Sequence, residues 1–154
     1  MTQRLNYIPL ASYAVKSFMT IEKAVAERVD SALLHLLKAR ASQINGCEYC
    51  LHMHTTDALG EGESVERLML LPMHEVSNHF NERERAALAY TEIVTRVSEQ
   101  GVPDAVFARL RASYTEQEIV DLTIAVAMIN LWNRIAIAMA NEPPTTVHRA
   151  QRER

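Results

Sequence analysis

The chain has 154 residues, enough for one ordinary domain with its own hydrophobic core and no need of covalent staples. Apolar residues make up 48%, charged residues 23%, and the formal charge is −3, so electrostatics favours neither nucleic acid nor an anionic membrane as a partner. No run of Lys and Arg marks a basic patch, and Arg149, Arg152 and Arg154 are interleaved with neutral and acidic residues.

Asn6, Pro9 and Ser12 interrupt the first fifteen residues, which therefore lack the unbroken apolar stretch of a secretory signal. Pro9 precedes a first predicted helix over about residues 11–28. Asp30 can cap a second that runs to about Asn45, with Gly46 as its stop. A third begins at Cys47 and ends before Gly60 and Gly62; Ser64–Leu71 reads as a short fourth, stopped by Pro72. Asn81 followed by Glu84 opens a fifth, to about Val97. Gly101 and Pro103 punctuate before a sixth over 103–113, and the Thr115/Glu118 capping box starts a long seventh, to about Asn141. Pro143 and Pro144 end it, and residues 145–154 read as a polar tail.

No sustained alternation and no Asn-Gly or Asp-Gly hairpin signal competes with this pattern. The expected fold is all-α: a single-domain bundle of about six to seven helices over residues 1–144. The stretch 119–140 is the most apolar, but Asp121, Asn130, Asn133 and Arg134 would be costly in lipid, so it reads as a core helix. A cytoplasmic, membrane-free protein follows as the expectation. Leu33, Leu34, Leu36 and Leu37 make the second helix apolar nearly all round. Two such helices in one small domain must be covered by the others or by a second subunit, which predicts a homo-oligomer.

The two cysteines lie three residues apart. In a reducing compartment such a pair is catalytic or metal-binding rather than a staple, because so short a loop removes little unfolded-state entropy. At a helix start the free N–H groups favour a thiolate, and Gly46 supplies the break that lets the helix begin there. Cys47, Cys50 and His54 fall within roughly 60° of one helical face, and His54 is one turn beyond Cys50. That places a thiol, a base beside it and a second thiol together. Cys47, Cys50, His52 and His54 are also four candidate metal ligands within eight residues. A tetrahedral site normally draws on two separated pairs, however, and His52 points the other way, so no metal is expected. A chance pair of buried cysteines is the third reading.

Tyr49, between the cysteines, is placed to wall a pocket, to bond a substrate oxygen or simply to pack; Met53 is placed to line the thiol pocket. His35 shares a small, polar strip of its helix with Lys38, Ala39 and Ser42. Trp132, Asn133 and Arg134 sit inside the core helix and are read as holding the fold or an interface together.

The run Arg40-Ala41-Ser42-Gln43-Ile44-Asn45-Gly46-Cys47, followed by Cys50, His54 and Thr55, resembles the alkylhydroperoxidase D core of the carboxymuconolactone decarboxylase-like superfamily. So do the segments 82–89 and 129–134, in matching order. The resemblance implies an all-helical fold, a trimer or hexamer with sites near subunit boundaries, and thiol-dependent reduction of hydroperoxides. By that resemblance Cys50 attacks the peroxide and Cys47 resolves it. No cofactor is bound, and an external dithiol such as a lipoyl protein restores the thiols. Relatives keep a Glu twelve residues before the first Cys, in a proton relay with the His; here that position is His35. Two alternatives remain: a redox-sensing or interaction module using the same disulfide, and a lactone decarboxylase, a chemistry with no use for a dithiol.

Overall fold

Residues 3–144 are described in the computed structural model, and every regular element among them is helical. In chain order these are α1 (Tyr7–Leu10), α2 (Ser12–Ala26), α3 (Ser31–Asn45), α4 (Glu48–Gly60), α5 (Val65–Leu70), a 3-10 turn (Leu71–Met73), α6 (Glu82–Thr95), α7 (Val97–Gln100), α8 (Asp104–Ser113) and α9 (Glu116–Met139). The long helices follow the caps read from the sequence. Asp30 accepts the Leu33 N–H at 3.0 Å to start α3, and Gly46, at φ 67°, closes it in the left-handed region that a side chain would strain. Asn81 with Glu84 and Thr115 with Glu118 form reciprocal capping boxes on α6 and α9.

The excess over seven helices comes from short pieces. Pro9 lies inside α1 rather than before the first helix, tolerated because a first-turn residue has no N–H partner to lose. Pro72 ends α5 as expected, but the chain continues through it as the 3-10 turn. The segment α7 follows α6 after a break at Arg96. The polar tail 145–154 lies outside the described residues.

The hub is α3, which packs against α4, α6 and α9, with Leu36, Leu37, Ala39 and Ala41 buried completely or nearly so. By length and composition α9 could cross a membrane. Its buried polar side chains are instead all matched inside the domain. Asp121 takes Arg28 at 2.9 Å, Asn130 donates to Thr95 at 3.1 Å, and Asn133 donates to Ser42 at 3.1 Å. Asn45, the last residue of α3, donates to both Asn130 (2.9 Å) and Asn133 (2.8 Å). Unsatisfied, these amides would each cost about 1–3 kcal/mol, so the ladder fixes α9 in one register against the end of α3. That end is where the chain turns into the cysteines. Trp132 donates to Glu22 at 3.0 Å and ties α9 to α2, while Arg134 is exposed and bonds the Asn130 carbonyl.

Candidate active site

The turn at Gly46 delivers Cys47 to the N-cap of α4, where its N–H donates to the Ser42 carbonyl at 2.9 Å. The Cys47 sulfur occupies the place a capping Ser or Asp oxygen would take and accepts the Cys50 N–H at 3.4 Å. Cys47 therefore sits one position ahead of the first turn, and Cys50 within it. Both thiols are free and 2% exposed, in a small apolar cluster with Ala41, Ile129 and Ala136, against Tyr49.

The pair is electrically unequal. The Cys50 S–H aimed at Cys47, helped by the Cys50 N–H and the Asn133 side chain, overrides burial and brings the Cys47 thiol down to about 7. Cys50 is pushed up, first as the donor of that shared proton and then by burial. Above neutral pH the two sulfurs hold one proton between them, with the charge on Cys47.

The sulfurs also open on different spaces. Cys50 lines a largely apolar cavity of about 290 Å³ with Tyr7, Tyr49, Met53, His54 and Trp132. Cys47 lines a wider groove of about 630 Å³ beside Arg4, Glu48 and Asn141. Tyr49 and Ala136 belong to both walls. His54 is 7% exposed and its pKa is pulled down to about 3, mainly by burial and further by Lys38 and His35. It is therefore neutral at physiological pH and able to accept a proton. Lys38, also buried at the cavity, is paired with Glu22, whose second oxygen takes the Trp132 N–H.

His35 stands behind this cavity rather than in it. Its ring lies 6.4 Å, centroid to centroid, from that of His54, and its Nε2 is 3.2 Å from Glu61 Oε1. The site residues read from the sequence thus fall into three tiers. Cys50, His54, Tyr49 and Met53 share one cavity, Cys47 backs Cys50 from the next, and His35 lies one ring beyond His54. Among the described residues no cluster of three or more His, Cys, Asp or Glu could hold a metal ion.

Lys38, Glu22, Tyr7, Asn133 and Glu61 complete the surroundings and were not assigned to the site by sequence reasoning. Two of them carried a signal: Lys38 is one turn from His35, and Glu61 is seven residues past His54 on the same face of α4. Tyr7 and Glu22 arrive from α1 and α2, and no spacing points to them.

The profile of the carboxymuconolactone decarboxylase family matches residues 9–92. The uncharacterized Bacillus subtilis protein YdfG is 37% identical over 142 residues, 92% of this chain and 97% of that one. A crystal structure of an Agrobacterium tumefaciens protein, named for a suggested antioxidant defence role as AhpD, superposes with a TM-score of 0.89 at 37% identity, covering 93% of this chain and 99% of that one. The debrominase Bmp8, solved with 2,3,4-tribromopyrrole, has a TM-score of 0.81 at 19% identity, over 90% of this chain and 74% of that one; it shares the fold.

Proposed function

We propose that this chain, which belongs to the carboxymuconolactone decarboxylase family as an alkylhydroperoxidase D-like member, is a thiol peroxidase that reduces hydroperoxides with Cys50 and Cys47. The observation that carries the reading is the placement of the two sulfurs. Cys50 faces a cavity beside a neutral, buried imidazole, while the more acidic Cys47 stands in bonded contact behind it.

The chemistry balances on these groups. The Cys50 sulfur attacks the distal peroxide oxygen, the O–O bond breaks, and its thiol proton passes to His54. Cys50 becomes a sulfenic acid and the departing alkoxide is protonated to the alcohol. The Cys47 thiolate then attacks the Cys50 sulfur and expels hydroxide, which leaves as water once protonated. Of the two protons consumed, the dithiol brings one and solvent the other. An external dithiol, with lipoyl type as the first candidate, reopens the disulfide by thiol–disulfide exchange, and the groove beside Cys47 offers it a separate approach.

The active form is a homo-oligomer, a trimer or hexamer. The exposed Leu10, Tyr13, Met69 and Val76 supply apolar surface that a second subunit would cover. Steady consumption of an organic hydroperoxide with an added dithiol, dependent on both cysteines, tests the reading. A single oxidation without turnover would favour the redox-sensor alternative, and no oxidation at all would remove both.

A further inference from the structure

We propose that Glu61 is the carboxylate of a three-member relay, Glu61–His35–His54, which takes the Cys50 proton when the thiol reacts and returns it to a leaving oxygen. The inference rests on the peroxidase reading and deepens it. The chemical need comes from the site itself. His54 is a weak base, buried in an apolar cavity beside the Lys38 ammonium, so a proton received there is not stable unless it moves on. In the cavity the Glu22 carboxylate is already engaged by Lys38 and by the Trp132 N–H, whereas a second carboxylate, Glu61, stands on the far side of His54 behind His35.

The geometry defines the acceptor. Glu61 Oε1 lies 3.2 Å from His35 Nε2, and its other oxygen accepts the Ser31 hydroxyl at 2.6 Å. A carboxylate on Nε2 fixes that nitrogen as the donor and leaves Nδ1 as the acceptor. Nδ1 is buried and, among the described residues, has no hydrogen-bond partner. The His54 ring centroid lies 6.4 Å from that of His35, and the transfer between the two rings would run directly or through one bridging water. When Cys50 gives its proton to one ring nitrogen of His54, the N–H on the other nitrogen passes to His35 Nδ1. The imidazolium so formed is held by the Glu61 carboxylate. Reversal of the two transfers delivers the proton to alkoxide or hydroxide in the cavity; no electrons move in these steps.

The relay also has its own outlet. Glu61 is half exposed and, with His35, Ala58 and Gly62, lines a second cavity of about 330 Å³, distinct from the one that holds Cys50. The other titratable groups facing this line are paired or neutral. Lys38 of α3 is paired with Glu22 of α2, Arg67 of α5 with Glu63 and with Glu84 of α6, and Tyr7 and Tyr49 stand near the thiols. From α9, Asn133 and Trp132 are uncharged. Glu61 thus stands where it can do for His35 what a carboxylate at position 35 would do for His54.

Glu61→Gln keeps the shape and removes the charge. Single-turnover oxidation of the reduced dithiol by an organic hydroperoxide should slow by at least about tenfold at neutral pH, with an altered pH profile. The double variant Glu61→Gln with His35→Glu, which puts a carboxylate directly behind His54, should recover most of the rate; loss of a merely structural contact would not be rescued this way. An unchanged rate and profile in Glu61→Gln, or no recovery in the double variant, overturns the proposal. A second readout separates it from the peroxidase reading. In a Cys47→Ser background the neighbouring thiolate is gone and His54 is the base that shares the cavity with Cys50, so Glu61→Gln should slow iodoacetamide alkylation of Cys50 by about tenfold. If wild type ignores hydroperoxide but this difference appears, the peroxidase reading falls and the relay stands. Equal alkylation rates remove the relay.

Discussion

Replacing Cys50 by Ala removes the S–H that holds the charge on Cys47. The Cys47 thiol is brought down from its ordinary 9.0 to about 7, so about half of it is thiolate at neutral pH. The Cys50 S–H is the largest contributor; in Cys50→Ala the backbone N–H at position 50 and the Asn133 side chain remain, against the opposing effect of burial. The Cys47 midpoint should therefore rise by at least one unit, so that the thiolate fraction at pH 7 falls from about half to about a tenth or less. Ultraviolet thiolate absorbance gives the midpoint, and the iodoacetamide rate at neutral pH, falling in proportion, gives the reactivity. A midpoint still near 7 would show that the helix start alone makes the acid, and would refute the shared-proton account. The converse variant sharpens the test: Cys47→Ala should leave no thiol titrating near neutrality, and one that still did would put the charge on Cys50.

Three further outcomes follow from the same geometry. His54→Ala should slow oxidation of the dithiol by hydroperoxide by roughly 10²-fold, while the Cys47 midpoint stays near 7 because Cys50 and the cap set it; stopped-flow kinetics and the thiolate titration read the two separately. Glu92, which burial alone would raise, is held at about 2 by His74 at 3.2 Å and Arg40 at 2.7 Å. A depressed carboxylate stabilises the fold above its unfolded pKa of about 4.3 and loses that contribution as pH falls toward 2, so Glu92→Gln should cost about 1–3 kcal/mol at neutral pH and almost nothing near pH 2, by urea unfolding at each pH. Leu36 is fully buried at the centre of α3, and Leu36→Ala should lose about 2–5 kcal/mol in the same assay with the Cys47 midpoint unmoved.

The long helices were legible because their ends are written in side chains. Asp30, Gly46, Asn81 and Thr115 each do locally what their residue type favours, and α3, α6 and α9 begin or stop within a residue or two of them. The pieces α1 and α7 were not legible, since four residues carry no apolar period and owe their helical turn to what surrounds them. Within the site, that Cys50 and His54 line one cavity agrees with their one-turn spacing. Which sulfur bears the charge was not legible, because that depends on the Cys47 sulfur sitting at the cap with the Cys50 N–H and S–H turned toward it. Glu61 carried a signal only in its spacing from His54, and none toward His35. Its link to His35 crosses from α4 to α3, and only the packing of those two helices brings the carboxylate to the ring.

The central claim is that Cys50 is oxidised by hydroperoxide and Cys47 resolves it, and the mass of the intact protein tests this most directly. Reduced wild type given one equivalent of an organic hydroperoxide should lose both free thiols and the mass of two hydrogen atoms. Cys47→Ser should stop at a sulfenic acid on Cys50, trapped by dimedone, and Cys50→Ser should remain reduced. A wild-type dithiol that survives the peroxide, or a Cys50→Ser variant that reacts as fast as wild type, would contradict the account.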